Sequence, residues 1–195
     1  MRSAQQDRKT QETDIHVTLE LDGQGRSEIS TGVGFLDHML ILLAKHAQFN
    51  LTVRAIGDLQ IDAHHTVEDV GIVMGQALAR ALGDKRGIGR YGLAVIPMDE
   101  ALLEAVVDLS GRPFLVYNVD LSSPLVGDFE TQLAEEFFRA LAFNAGMTLH
   151  LSCRYGKNDH HIIEGLFKAL ARALADAVRI DASRSGQIPS TKGVL

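Results

Sequence analysis

Two segments of this chain carry the same five-residue pattern. They are His64-His65-Thr66-Val67-Glu68 and His160-His161-Ile162-Ile163-Glu164, 96 residues apart in a sequence of 195. The stretches that follow also match in kind, GQALARAL in the first half and KALARAL in the second. A motif that recurs at about half the chain length, together with its following helix, marks an internal duplication. Two copies are too few for a solenoid, so a closed, pseudo-two-fold domain is expected.

The order of elements repeats as well. In the first half, 14–21 alternates apolar and polar residues as a half-buried strand does. Asp22-Gly23-Gln24-Gly25 reads as a turn, with 26–31 returning as the partner strand. A helix over 35–47, a strand over 51–56 and a helix over 67–82 follow, the last ending before Gly83. The second half gives strands at 101–109 and 114–119 and a helix over 131–144 with Gly146 beyond it. A strand at 147–153 and a helix over 162–178 complete it. The expected fold class is α+β: duplicated β-β-α-β-α half-domains, about 10–90 and 91–183, with a tail over 184–195. They form two four-stranded sheets with the helices packed between them.

Composition narrows the function. Hydrophobic residues at 46% supply enough apolar surface to offset ordering entropy, which excludes general disorder. A net charge of −6 argues against nucleic-acid or anionic-membrane partners. With no Trp and 6% aromatics, base-stacking platforms are not expected. No apolar run approaches a membrane span, and MRSAQQDRKTQETD holds no hydrophobic signal core, so export is not expected. The single cysteine, Cys153, fits a reducing cytosol, so a cytoplasmic location is expected.

The histidines carry the chemistry. Each HHxxE stands where a polar loop enters a helix. Residues four apart share a helix face, so His64 pairs with Glu68 and His160 with Glu164. His65 and His161 then face elsewhere, because neighbouring residues are about 100° apart around the axis. This favours two metal sites, each with a His-Glu pair from one helix and a lone histidine from another element. Nitrogen and carboxylate donors without thiolate suit Mn, Fe, Zn or Ni, and the carboxylate share tilts toward Mn. Aligning FLDHMLILLAKHA with QLAEEFFRALAFNA sets His38 opposite Glu136, both early on a helix. His16 and His150 read as polar strand residues. His46, two turns after His38, either faces the same cleft or ends its helix.

The segments RKTQETDI, GVGFLDHML, DAHHTVEDVGI, GIGRYG, PMDEALL, DLSGRP, GMTLHL, HHIIEGLFKALARAL and IPSTKGVL together resemble the imidazoleglycerol-phosphate dehydratase family. The resemblance runs from about Arg8 to Leu195. It implies loss of water from D-erythro-imidazole-glycerol phosphate to give imidazole-acetol phosphate, in L-histidine biosynthesis. It implies two Mn²⁺ per active site, and a homo-oligomer of 24 chains with active sites between subunits. The implied ligands are His38, His65, His160 and Glu164 in one site, and His64, His161, Glu68 and Glu136 in the other. Some members carry His where Glu136 stands, and many carry Asp-Gln where Ile41-Leu42 stand. Glu12 matches the family's acid–base carboxylate. Arg90, Arg112, Lys168, Ser190 and Lys192 match positions that contact the substrate phosphate, and His46 is grouped with them as a substrate-binding candidate.

The resemblance implies an elimination in which the metal-gripped imidazole ring helps expel a hydroxyl while Glu12 takes the neighbouring carbon-bound proton. A cation-storage shell is the competing non-catalytic reading, but it has no use for an anion clamp. A metallohydrolase would instead release phosphate.

Overall fold

The computed structural model describes residues 2–184, 186–193 and 195, with the backbone alone at 184. Among the described residues, two four-stranded sheets and four helices form the body. The first half runs β1 (Ser3–Lys9), β2 (Thr13–Glu20), β3 (Ser27–Ser30), α1 (Gly34–Ala47), β4 (Asn50–Gly57) and α2 (His64–Leu82). The second runs β5 (Tyr91–Met98), β6 (Ala101–Asp108), β7 (Phe114–Asn118), a small hairpin of β8 (Leu125–Val126) and β9 (Phe129–Glu130), α3 (Gln132–Ala145), β10 (Thr148–Tyr155) and α4 (Asp159–Val178). Sheet order is β1-β2-β4-β3 in one half and β5-β6-β10-β7 in the other, so the topology is duplicated.

The repeating unit contains one more strand than the alternation pattern shows. β1 and β5 complete the two sheets, each pairing antiparallel with the strand that follows it. β1 is an edge strand of sequence SAQQDRK; four of its seven residues are exposed and the other three half-buried, so no apolar face announces it. The expected pairing of 26–31 with β2 is not found. β3 instead runs parallel to β4, because β2 has both edges occupied, by β1 and β4. Asn50 steers the chain there: its side-chain oxygen accepts from the backbone N–H of Gln24 at 3.0 Å and of Arg26 at 3.2 Å. β8–β9 is an addition peculiar to the second half.

The inner sheet faces explain the layering. Ile15, Val17, Leu19 and Val53 of the first sheet are buried, as are Leu103, Ala105, Val107, Leu149 and Leu151 of the second. α1 and α2 lie against the first sheet, α3 and α4 against the second, and the helices meet in the middle as α1 with α4 and α2 with α3. Close approach of α2 to α3 depends on Gly71 and Gly75. A Cβ at Gly71 would stand 2.8 Å from the Phe137 carbonyl oxygen, and one at Gly75 2.7 Å from that of Leu141. The starts of all four helices meet around one pocket, lined by Phe35 and His38 of α1, Ala63 just before α2, Leu133 of α3 and His160 of α4.

The outer faces differ. The first sheet turns Gln5, Asp7, His16 and Arg54 outward, while the second exposes Tyr91, Leu93 and Phe114.

Candidate metal centre and anion cleft

The entrance to α4 is built by its capping residues. The Asn158 side chain accepts from the backbone N–H of His160 and His161. Asp159, buried, accepts from the backbone N–H of Ser122 and Ser123 and from the Ser122 hydroxyl. The first turn is thereby fixed, and Glu164 follows His160 one turn later on the same face.

α1 brings His38 to that face. His38 Nε2 lies 3.3 Å and His160 Nε2 3.1 Å from Glu164 Oε2. Ligand atoms of the three residues lie within 4.8 Å of one another, the one such group of histidine, cysteine and carboxylate side chains among the described residues. Lys168 Nζ sits 2.6 Å from the other oxygen, Glu164 Oε1. Burial pushes the Glu164 carboxyl up, but Lys168 and the two histidines outweigh it and leave the group below its usual value. Two imidazole nitrogens and one ionised oxygen aimed at a common point form a donor set that fits a divalent transition metal.

The other histidines part as helix geometry requires. The rings of His160 and His161 are 83° apart in plane, and those of His64 and His65 88°. His64 Nε2 lies 3.9 Å from Glu68 Oε2. Glu136, on α3, is 3.8 Å from the Arg139 guanidinium. His64, Glu68, Glu136 and His161 are not gathered into one cluster within the chain. His65 Nδ1 pairs with Asp58 Oδ2 at 3.0 Å, which raises its pKa. His161 Nδ1 pairs with Glu100 Oε2 at 2.8 Å, which likewise raises its pKa. The His161 hydrogen bond and the backbone N–H groups of Asn158 and Lys157 hold the Glu100 carboxyl at about 2.

Glu12 stands in the β1–β2 turn with its side chain 55% exposed, 3.9 Å from His65 Nδ1. The turn itself is tied down. Asp69, buried on α2, accepts from the Thr13 hydroxyl at 2.5 Å and the Arg8 guanidinium at 2.9 Å. Thr10 Oγ1 accepts from the backbone N–H of Glu12 and Thr13.

A second region is basic. Arg90, Arg112, Ser190 and Lys192 line a cleft of about 820 Å³. Arg90 donates to Asp108 at 2.8 Å, which raises its pKa, and to the Pro189 carbonyl at 2.8 Å. Arg112 is 3.6 Å from the same aspartate. The tail is thus held against the arginines. Lys168, grouped with them by sequence, lies instead on Glu164. His46 opens onto a separate cleft of about 490 Å³ with Arg2, Asp22 and Arg172. Burial first, then the charges of Lys168 and Arg172, push its pKa down.

Sequence reasoning missed Asp58, Asp69 and Glu100 as parts of this region. Asp69 directly follows Glu68, and Glu100 lies within PMDEALL, but their partners are 61, 56 and 61 residues away. Asp58 stands closer, seven residues before His65.

Comparison with known proteins shows what the chain is similar to. The family model described as imidazoleglycerol-phosphate dehydratase matches residues 31–174. The imidazoleglycerol-phosphate dehydratase of Symbiobacterium thermophilum is 63% identical over 188 residues, covering 96% of this chain and 90% of its own length. That of Alkaliphilus metalliredigens is 58% identical, covering 100% and 99%. A crystal structure of the Staphylococcus aureus enzyme superposes with a TM-score of 0.84 at 45% identity, covering 92% of this chain and 99% of its own. One from Pyrococcus furiosus, in complex with (S)-C348, gives 0.84 at 36% identity, covering 97% and 100%. Fold and site thus define a duplicated α+β hydro-lyase with a candidate metal-binding cluster. The chain belongs to the imidazoleglycerol-phosphate dehydratase family.

Proposed function

We propose that the protein dehydrates D-erythro-imidazole-glycerol phosphate to imidazole-acetol phosphate in L-histidine biosynthesis, in the cytoplasm, using two Mn²⁺ per active site. The observation that carries the metal dependence is the convergence of His38, His160 and Glu164. One Mn²⁺ would be held by these three and His65, the other by His64, Glu68, Glu136 and His161. Among the described residues, His65 is not grouped with His38, His160 and Glu164, nor His161 with His64 and Glu68. This supports sites completed by a second copy and hence a homo-oligomer, taken as 24 chains. The apolar outer face of the second sheet supports the same reading, since large exposed apolar patches mark association surfaces.

When bound, the metal would act as a Lewis acid that stabilises negative charge on the substrate imidazole. The chain supplies the rest. Lys168 balances the charge of Glu164. Arg90 and Arg112, with Ser190 and Lys192, hold the phosphate, and Asp108 keeps the two guanidinium groups oriented before it arrives. His46 is the remaining substrate-binding candidate, from its separate cleft. Glu12, exposed on its turn, takes the proton from the carbon that becomes the carbonyl. Hydroxyl and proton leave together as water, the enol becomes a ketone, and phosphate is retained.

The test is incubation of Mn²⁺-loaded protein with the substrate. Ketone should form without free phosphate and should cease after chelation. Free phosphate as the main product would instead establish a hydrolase.

A further inference from the structure

His65 and His161 hold corresponding places in the duplicated motif, and each is gripped at the same ring atom. Asp58 Oδ2 lies 3.0 Å from His65 Nδ1, and Glu100 Oε2 lies 2.8 Å from His161 Nδ1. The two carboxylates are not themselves duplicates. Asp58 stands just beyond β4, ahead of α2, whereas Glu100 lies in the β5–β6 turn. Unrelated positions have converged on one arrangement. The duplication alone does not account for it.

Both carboxylates are held in place. The Asp58 side chain is 11% exposed, and its Oδ1 is buried with no hydrogen-bond partner among the described residues. Glu100 Oε1 accepts from the backbone N–H of Lys157 at 3.2 Å and of Asn158 at 2.8 Å, which ties it to the entrance of α4. Other acidic neighbours are more distant: Glu12 is 3.9 Å from His65 Nδ1, and Asp99 3.8 Å from His161 Nε2. A neutral imidazole that donates from Nδ1 keeps its lone pair on Nε2.

We propose that Asp58 and Glu100 are positioning residues that fix the tautomer and aim of His65 and His161, so that each presents Nε2 to a divalent cation. The inference deepens the metal reading above and rests on His65 and His161 being ligands. Carboxylates behind ligating histidines orient the ring and raise its basicity, and their loss weakens metal binding by about 10–100-fold.

Calorimetric titration of the full-length, metal-free protein with Mn²⁺ tests it. The isosteric variants Asp58→Asn and Glu100→Gln should each weaken one class of sites by about 10–100-fold while melting like wild type. Asp58→Ala should weaken it at least as much, and in a His65→Ala background should add nothing further, because the aspartate acts only through that ring. A purely structural role would add its loss in both backgrounds. Isosteric variants that bind Mn²⁺ within twofold of wild type, while His65→Ala and His161→Ala lose a site, overturn the proposal and leave the ligand assignment standing. Unchanged binding in the two alanine variants removes the ligand assignment, and the proposal falls with it.

Discussion

Glu12 and Asp69 show how a single side chain is made useful. Glu12 projects from a turn whose backbone is fixed by Thr10, and by Asp69 acting on Thr13 and Arg8. Replacing Glu12 with Gln should cost about 10²–10⁴-fold in kcat and leave Mn²⁺ affinity unchanged, by steady-state kinetics beside calorimetry. Asp69→Ala removes the buried acceptor of both Thr13 and Arg8, leaving the Thr13 hydroxyl only its 3.2 Å contact with Thr10, so stability should fall by about 1–3 kcal/mol in urea. kcat should fall with it, while Mn²⁺ affinity holds. The doubled HHxxE was legible because its geometry is local: four residues span one helical turn. Asp69 and Glu100 were not, because their partners arrive from other strands and helices once the fold has formed. Asp58, though near His65 in sequence, was hidden because a loop gives no periodicity from which to read where its carboxylate turns.

The helices and the central strands were legible from their apolar periodicity, and both sheets lost an outer member for lack of it. β1 offers no apolar stripe. What holds it is the ladder to β2 and, at its start, Arg2, which donates to Asp22 and to the Val178 carbonyl at the end of α4. The Arg2 hydrogen bond chiefly holds the Asp22 carboxyl below its usual value. A depressed carboxylate contributes stability above its unfolded pKa and loses it as pH falls through the lower folded value. Asp22→Asn should therefore melt slightly lower than wild type at pH 7, and the gap should close as acid is added. At the helix–helix seam, Gly71→Val would drive a side chain into the Phe137 carbonyl, and overpacking of this kind costs about 1–3 kcal/mol. Denaturant unfolding checks it.

For the molecule as a whole, two halves of like topology enclose one core but present unlike exteriors, mostly polar on the first sheet, Ile56 apart, and with an apolar patch of Tyr91, Leu93 and Phe114 on the second. If copies are joined through metal, chelation or His160→Ala should reduce the sedimentation coefficient of the assembly, and Mn²⁺ should restore it only to wild type. The duplication is also unequal inside. The β1–β2 turn leaves its carboxylate exposed, with only a loose 3.9 Å pairing to His65, whereas the equivalent turn between β5 and β6 commits Glu100 to His161 and two backbone amides. A substrate clasped by both repeats therefore meets two unlike turns, one with an exposed glutamate and one whose glutamate is hydrogen-bonded. Handedness follows from that inequality: if Glu12, its acid proton exchanged with heavy water, also delivers to the carbon beside the ring, the new carbon–deuterium bond there should form at a single prochiral position, giving a product of one configuration rather than a mixture.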